Sequence, residues 1–244
     1  MAYTFAEVFN MCNVGKSRNI EEAFKAVICN TALNMIWRAY DWEWTIEKLP
    51  PFWLIPRIQD YGAPFVAVPS DFDGLRECRI LYICPGSEPA KMPLRIQKNI
   101  DLTGTLGIPT AISWQAADNS FRMQPRPGDS VSSPRYMVSG TYKKTPTQMT
   151  VSNYQTTEIY SESKFLDMWR KTVNWAYLDF SQDPRAGGVQ MMSSGIPNYY
   201  GAYGEAFAAI TQAASEMGLK EGDPMIAPEQ PLLIQGVWLP GQLL

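Results

Sequence analysis

The stretch NIEEAFKAVICNTALNMIWRAYDWEW, residues 19–44, decides how the chain is organised. Its apolar residues recur at steps of three and four positions, the spacing that places side chains on one face of an α-helix. They are Ile20, Ala23, Phe24, Val27, Ile28, Ala32, Met35 and Ile36. Because an apolar face of this width must be covered in water, the rest of the chain has to supply elements that pack against it.

Both ends of this predicted helix carry signals. Asn19, followed three residues later by Glu22, predicts a capping box in which the two side chains bond the first free amides. Beyond the helix, aromatic residues alternate with acidic ones at positions 40, 42 and 44, and two consecutive prolines follow at 50 and 51. Since alternation is the period of a strand and proline interrupts a helix, we expect the chain to enter a sheet here.

Two further segments repeat the helical spacing. In residues 162–180, which Ser161 or Ser163 can cap, the stripe consists of Phe165, Met168, Trp169, Thr172, Val173, Ala176, Tyr177 and Phe180. In residues 199–217 it consists of Tyr203, Phe207, Ile210, Ala214 and Met217, and Gly218 follows as a left-handed cap would. Because each stripe needs a partner, we expect the three helices to share one bundle.

Residues 42–150, between the first two of these helices, are rich in aromatic and β-branched residues and are punctuated by proline. This composition predicts short strands, among them 66–72, 79–83 and 135–144, with a hairpin at 111–124 and a brief helical turn at 94–102. The repeated prolines predict a small twisted sheet without a long central ladder.

The predicted fold class is therefore α+β: an antiparallel bundle of three main helices, a β-rich insertion between the first and second long helices, and an extended C-terminal tail. The predicted domains are a helical bundle of residues 1–41 and 151–218, an inserted β-rich domain of residues 42–150, and a C-terminal arm of residues 219–244.

Charge and residue usage narrow the classes of function. The 244 residues include 21 Lys and Arg, 24 Asp and Glu, and no His, so the net charge is -3 and no global basic field attracts nucleic acid. The absence of histidine removes the commonest general base, the Ser-His-Asp arrangement and most zinc sites. Paired acids such as Glu21-Glu22 and Asp71/Asp73 fall at predicted caps and turns, where they need no catalytic role. We therefore predict no enzyme activity, no catalytic residue, no cofactor and no metal.

Cysteine spacing and hydropathy give two more expectations. Cys12, Cys29, Cys78 and Cys84 show no CxxC spacing, which favours buried free thiols over a disulfide framework. No apolar run approaches the roughly 20 residues that span a bilayer, and no signal peptide pattern opens the sequence, so we expect no membrane partner.

Two surface features have alternative interpretations. Trp42, Trp44, Trp53 and Tyr61 could form a sugar-stacking platform, although alternating aromatics beside an amphipathic helix more often belong to a core or a subunit interface. Lys143-Lys144, close to Arg135 in sequence, could contact phosphates, although lysines on a strand usually form a solvated face.

The tail offers the candidate interaction site. Residues 158–244 carry 10 acidic and only 5 basic residues, and prolines at 224, 228, 231 and 240 prevent the tail from becoming a helix. An apolar extended tail of this kind favours docking on a neighbouring protein. The candidate interface residues are Leu232, Leu233, Ile234, Val237, Trp238 and Leu239.

Four short motifs follow one another between the helices. VAVPSDF at 66–72 resembles an "LP-x-D-F" strand end, GIP at 107–109 a "G-x-P" hairpin entry, MQPRP at 123–127 an "L-x-P-x-P" strand end, and YMVSGTYKKTP at 136–146 a "Y-x-R-x-P" strand. In this order, after a helix that ends in tryptophans, the pattern over about residues 20–217 resembles the head-to-tail adaptor proteins of tailed bacteriophages, the tail tubular protein A type.

The resemblance implies a structural virion protein without enzymatic activity, located in the neck or tail and assembled in the host cytoplasm. It implies a homo-oligomeric ring, a dodecamer, beneath the portal protein and next to a tail nozzle or tube protein, with genomic DNA passing through without specific binding. Another oligomeric tail or capsid accessory protein, or a carbohydrate-active enzyme, remain the alternatives.

Overall fold

Four α-helices carry the helical periodicity of the sequence in the structure, a computed structural model that describes residues 3–12, 20–83, 86, 88–130, 135–159 and 165–219. They are α1 (Phe5–Met11), α2 (Glu22–Ala39), α3 (Leu166–Phe180) and α4 (Gly201–Glu216). The chain divides into two units: a helical unit, formed by Met1–Trp42 with Pro146–Leu244, and a sheet unit, formed by Glu43–Thr145.

In the helical unit, α3 packs against the other three helices. Phe165, Trp169 and Val173 are at most 2% exposed, so the predicted stripe of α3 is confirmed at these positions. The short helix α1 was not predicted; it begins in a capping box in which Glu7 N–H donates to Thr4 Oγ1 at 3.3 Å and Thr4 N–H to Glu7 Oε2 at 2.8 Å.

Helix α2 differs from its prediction in two ways. It begins at Glu22 without a side-chain cap, whereas the predicted cap Asn19 lies outside the described residues. Ile28 and Ile36 are 0% exposed, but Phe24 and Val27 remain 43% and 48% exposed. The reason is that the buried arc extends over Ala26, Cys29 and Leu33, which leaves positions 24 and 27 beyond its edge.

The sheet unit is built around one seven-stranded sheet. Its strands lie in the order β1-β9-β3-β4-β6-β7-β2. Their bounds are β1 Ile46–Trp53, β2 Asp60–Tyr61, β3 Phe72–Tyr82, β4 Ala90–Ile96, β6 Ala111–Gln115, β7 Ser120–Gln124 and β9 Tyr136–Lys144, and the short pair β5 Leu106–Gly107 and β8 Arg126–Pro127 lies apart from them. All neighbours in the large sheet are antiparallel except β4 and β6, which are parallel.

This sheet has its own hydrophobic core. Leu54, Tyr61, Ile80, Phe121 and Val138 are all 0% exposed and belong to one cluster. Burying a large apolar side chain stabilises a fold by about 1.5–3 kcal/mol, so this cluster is a major source of stability for the sheet.

The predicted fold class is wrong. The chain has four helices and a large curled seven-stranded sheet, with about equal helix and strand content, and is not an antiparallel helix bundle with a β insertion. The prolines do not prevent a long central ladder, as the prediction assumed. Pro50 and Pro51 lie at a register shift of the edge strand β1, so the long ladder between β3 and β9 stays intact. The helical turn predicted at 94–102 is also wrong, since residues 90–96 form β4.

A small hairpin in the helical unit, β10 (Gly188–Met191) with β11 (Pro197–Tyr200), leads directly into α4.

Candidate functional site

The aromatic residues considered as a sugar-stacking platform do not form one. Trp42 and Tyr61 are both 0% exposed, so neither ring offers a face to a ligand. Trp42 belongs to the helical unit and Tyr61 to the core of the sheet unit, while Trp44 is half-buried and Trp53 is 37% exposed. The core interpretation is therefore correct for Trp42 and Tyr61.

Trp42 has a structural task at the end of α2. Its Nε1–H donates to the carbonyl oxygen of Ile36 at 2.6 Å. Ile36 is one of the last four residues of α2, whose carbonyls lack a partner within the helix. The indole N–H therefore caps the C-terminal end of α2, while the ring contacts Tyr40 and Phe165 edge to face.

The lysine pair on β9 is not a solvated face. Lys143 is only 1% exposed, and Lys144 Nζ lies 3.1 Å from Glu47 Oε2. Lys143 lies in the interior of the sheet, opposite Ile46 of β1 and Gly74 of β3. The predicted solvated face is therefore wrong for Lys143.

Two of the paired acidic residues, Glu22 and Asp71, lie at the ends of secondary-structure elements and accept hydrogen bonds there. Glu22 opens α2 and accepts a hydrogen bond from Gln155 Nε2 at 3.0 Å. Asp71 precedes β3 and accepts one from the Tyr142 hydroxyl at 3.0 Å. Burial, together with this carboxylate, raises the pKa of Tyr142 to about 12. Within the described residues, no group of three or more His, Cys, Asp or Glu side chains could hold a metal ion.

Three of the four cysteines fall in the described residues and are buried free thiols, as predicted. Burial raises the pKa of Cys12 to about 11 and those of Cys29 and Cys78 to about 12. Because the thiolate is the nucleophilic form, these three side chains are inert near neutral pH. Cys84 lies outside the described residues.

Several exposed apolar residues of the described chain lie together on the β10–β11 hairpin. Every residue from 190 to 200 is exposed, and none of them is charged. Met191 is 66% exposed and Ile196 61%, with Met192, Tyr199 and Tyr200 between 38% and 50%. Protein interfaces are enriched in Met and Tyr and depleted of charge at their centres, so this composition favours contact with another protein.

The base of this hairpin is fixed to the helical unit by close backbone packing. Gly187 has φ 72°, and a Cβ there would lie 2.0 Å from the carbonyl oxygen of Tyr200. On α4, the Phe207 ring stacks on Tyr199 with centroids 4.2 Å apart. Upstream, Asp183 accepts hydrogen bonds from Arg185 N–H and its guanidinium, which lowers the pKa of that carboxyl to about 2. These contacts fix the position of the hairpin that carries the exposed apolar residues.

A second feature is a cleft in the sheet unit where two strands separate. Strand β4 pairs with β3 only as far as Leu94 opposite Cys78 and then pairs with β6 from Arg95 onward. The separation leaves a depression of about 490 Å³. Its lining residues are Arg76, Glu77, Cys78 and Arg79 of β3 and Lys91, Pro93, Leu94 and Ile96 of β4.

Sequence reasoning missed both features. Residues 190–200 of the hairpin are all exposed, so they show no alternation of buried and exposed positions. Only the Ser-Ser-Gly turn at 193–195 could have indicated the hairpin. The cleft depends on the pairing of β4 with two partners distant in sequence.

The predicted interface residues of the tail, Leu232 to Leu239, lie outside the described residues. Among the helices that the structure describes, none is long and apolar enough to cross a membrane. The sequence matches no known family and shows no significant similarity to curated proteins.

Proposed function

We propose that this chain is a structural subunit of a phage virion, a head-to-tail adaptor that forms a ring beneath the portal and lets genomic DNA pass. The observation that supports an assembling protein is the uncharged hairpin surface around Met191 and Ile196. The adaptor identity is supported by the four motifs between residues 66 and 146 and by their order. The proposed partners are further copies of the chain, the portal protein and a tail nozzle or tube protein.

The net charge of -3 is compatible with a conduit, because a wall that bound the phosphate backbone strongly would retard the passage of DNA. The proposal also includes the absence of catalysis. Purified protein should turn over neither glycans nor phosphoesters, and a turnover that disappears in an Asp or Glu variant would contradict this part.

Negative-stain imaging and native mass spectrometry of the purified full chain, alone and with a candidate portal protein, test the proposal. We expect closed rings, and we expect Met191→Ser with Ile196→Ser to reduce ring formation without loss of helical circular dichroism. The matched control is Leu102→Ser with Leu106→Ser, two residues that are 71% and 47% exposed in the sheet unit. Rings that form equally well in both variants would exclude the hairpin, and a monomer under all conditions would refute the adaptor assignment.

A further inference from the structure

The cleft between β3 and β4 combines positive charge with exposed apolar residues. Arg79 and Lys91 line it together with Arg76, and Glu77 is the acidic residue of the lining set. Arg79 is 42% exposed in its side chain and lies 3.8 Å from Glu77, whose own side chain is 74% exposed, so this weak ion pair leaves the Arg79 guanidinium partly accessible. Lys91 is exposed.

The exposed apolar residues of the lining are Pro93 and Ile96. Cys78 and Leu94 also border the cleft, but they are 7% and 5% exposed and belong to the core cluster of the sheet. Cations beside exposed apolar residues suit a ligand that carries carboxylates next to aliphatic or aromatic groups, which describes an acidic, hydrophobic peptide.

The separation of the strands adds a backbone feature. Strand β3 pairs with β9 along its length, but its pairing with β4 ends at Cys78. In the described residues, no strand pairs with the β4-facing edge of β3 before Cys78. An extended peptide can therefore approach the edge near Arg76 and Glu77, as in strand addition.

One segment of this chain has the matching chemistry. Residues 221–244 contain Glu221, Asp223 and Glu229 and no Lys, Arg or His, and they include the apolar run LLIQGVWL at 232–239. The sheet unit is the more basic part of the chain, since residues 43–145 carry 12 Lys and Arg against 10 Asp and Glu. The two sequences are thus complementary in charge and in apolar content.

We propose that the β3–β4 cleft binds residues 221–244 of a neighbouring copy. This inference rests on the proposed oligomer and names a second contact between its subunits, besides the hairpin surface. The described chain ends at Leu219 after α4, and about 24 residues span at most about 80 Å when fully extended. In this arrangement, carboxylates at 221–229 meet Arg79 and Lys91, and the apolar run packs on Pro93 and Ile96.

Photo-crosslinking of the full chain tests the contact. A benzophenone amino acid at Trp238, in a mixture of isotopically light and heavy copies, should form light–heavy cross-links to peptides from residues 76–96. Arg79→Glu with Lys91→Glu should lower the cross-link yield about tenfold, because repulsion replaces attraction. Adding Glu221→Lys and Asp223→Lys should restore it to within about twofold.

Lys48→Glu with Lys98→Glu is the control, since both lysines are exposed in the sheet unit and neither lines the cleft. If Arg79→Glu disturbs folding by circular dichroism, the exposed Lys91→Glu alone replaces the pair. Cross-links confined to single copies, or mapping outside residues 76–96, would overturn the inference even where rings form. Light–heavy cross-links to the cleft without any ring would support the inference and contradict the adaptor assignment.

Discussion

Replacing Trp42 by Phe should destabilise the helical unit by about 2–4 kcal/mol. The indole is 0% exposed and its N–H bonds the Ile36 carbonyl at 2.6 Å, so Phe leaves a buried carbonyl without this donor, which costs about 1–3 kcal/mol. The smaller ring also leaves a cavity of about 50 Å³, which at about 24 cal/mol per Å³ adds about 1 kcal/mol. The two terms act at one site and together give the expected range.

Urea unfolding followed by helical circular dichroism measures this loss. Trp53→Phe makes the same chemical change at a position that is 37% exposed and should cost less than about 1 kcal/mol. A loss below about 1 kcal/mol for Trp42→Phe would refute the reasoning, because it would mean that the indole neither caps α2 nor fills the core there.

Two further outcomes concern the support of the hairpin. Gly187→Ala should destabilise the protein more than Gly195→Ala in thermal unfolding. Both glycines have φ above +70°, but only at Gly187 would a Cβ meet backbone, 2.0 Å from the carbonyl oxygen of Tyr200. Equal losses of stability in the two variants would contradict this packing. The Asp183 carboxyl should titrate at about pH 2 by NMR because Arg185 stabilises its charged form. The contribution of Asp183 to stability is therefore present above its unfolded pKa near 3.9 and is lost as the pH falls toward 2. An NMR titration midpoint near 4 would show that Asp183 does not bond Arg185 in solution.

Elements with a local signal could be predicted from the sequence. Helix α3 has one stripe, with Trp169 and Val173 both buried, so its periodicity is unambiguous. The β6–β7 hairpin has clear alternation around a polar turn at 116–119, and its register follows from that turn. Both depend on residues close in sequence.

The elements that could not be predicted from the sequence depend on residues that are distant in the chain or are not buried within it. Register shifts between Phe72 and Gly74 and between Leu75 and Glu77 interrupt the alternation of β3, which concealed the longest strand of the sheet. Strand β4 pairs with β6 through Arg95 opposite Ala111, and such a parallel pair has no turn to announce it. The hairpin at 188–200 was missed because its apolar residues are not buried within this chain.

The division of the helical unit between two separate segments affects how the protein forms on the ribosome. Residues 22–39 of α2 are synthesised long before residues 166–180 of α3, with the whole sheet unit between them. At 5–20 residues per second, the interval is roughly 6–25 s. Throughout it, the Ile28 and Ile36 side of α2 lacks the helix that later packs on it, and the last strand of the sheet unit, β9, is completed only near the end of the interval. The nascent chain is therefore open to aggregation or chaperone binding at α2 during this interval.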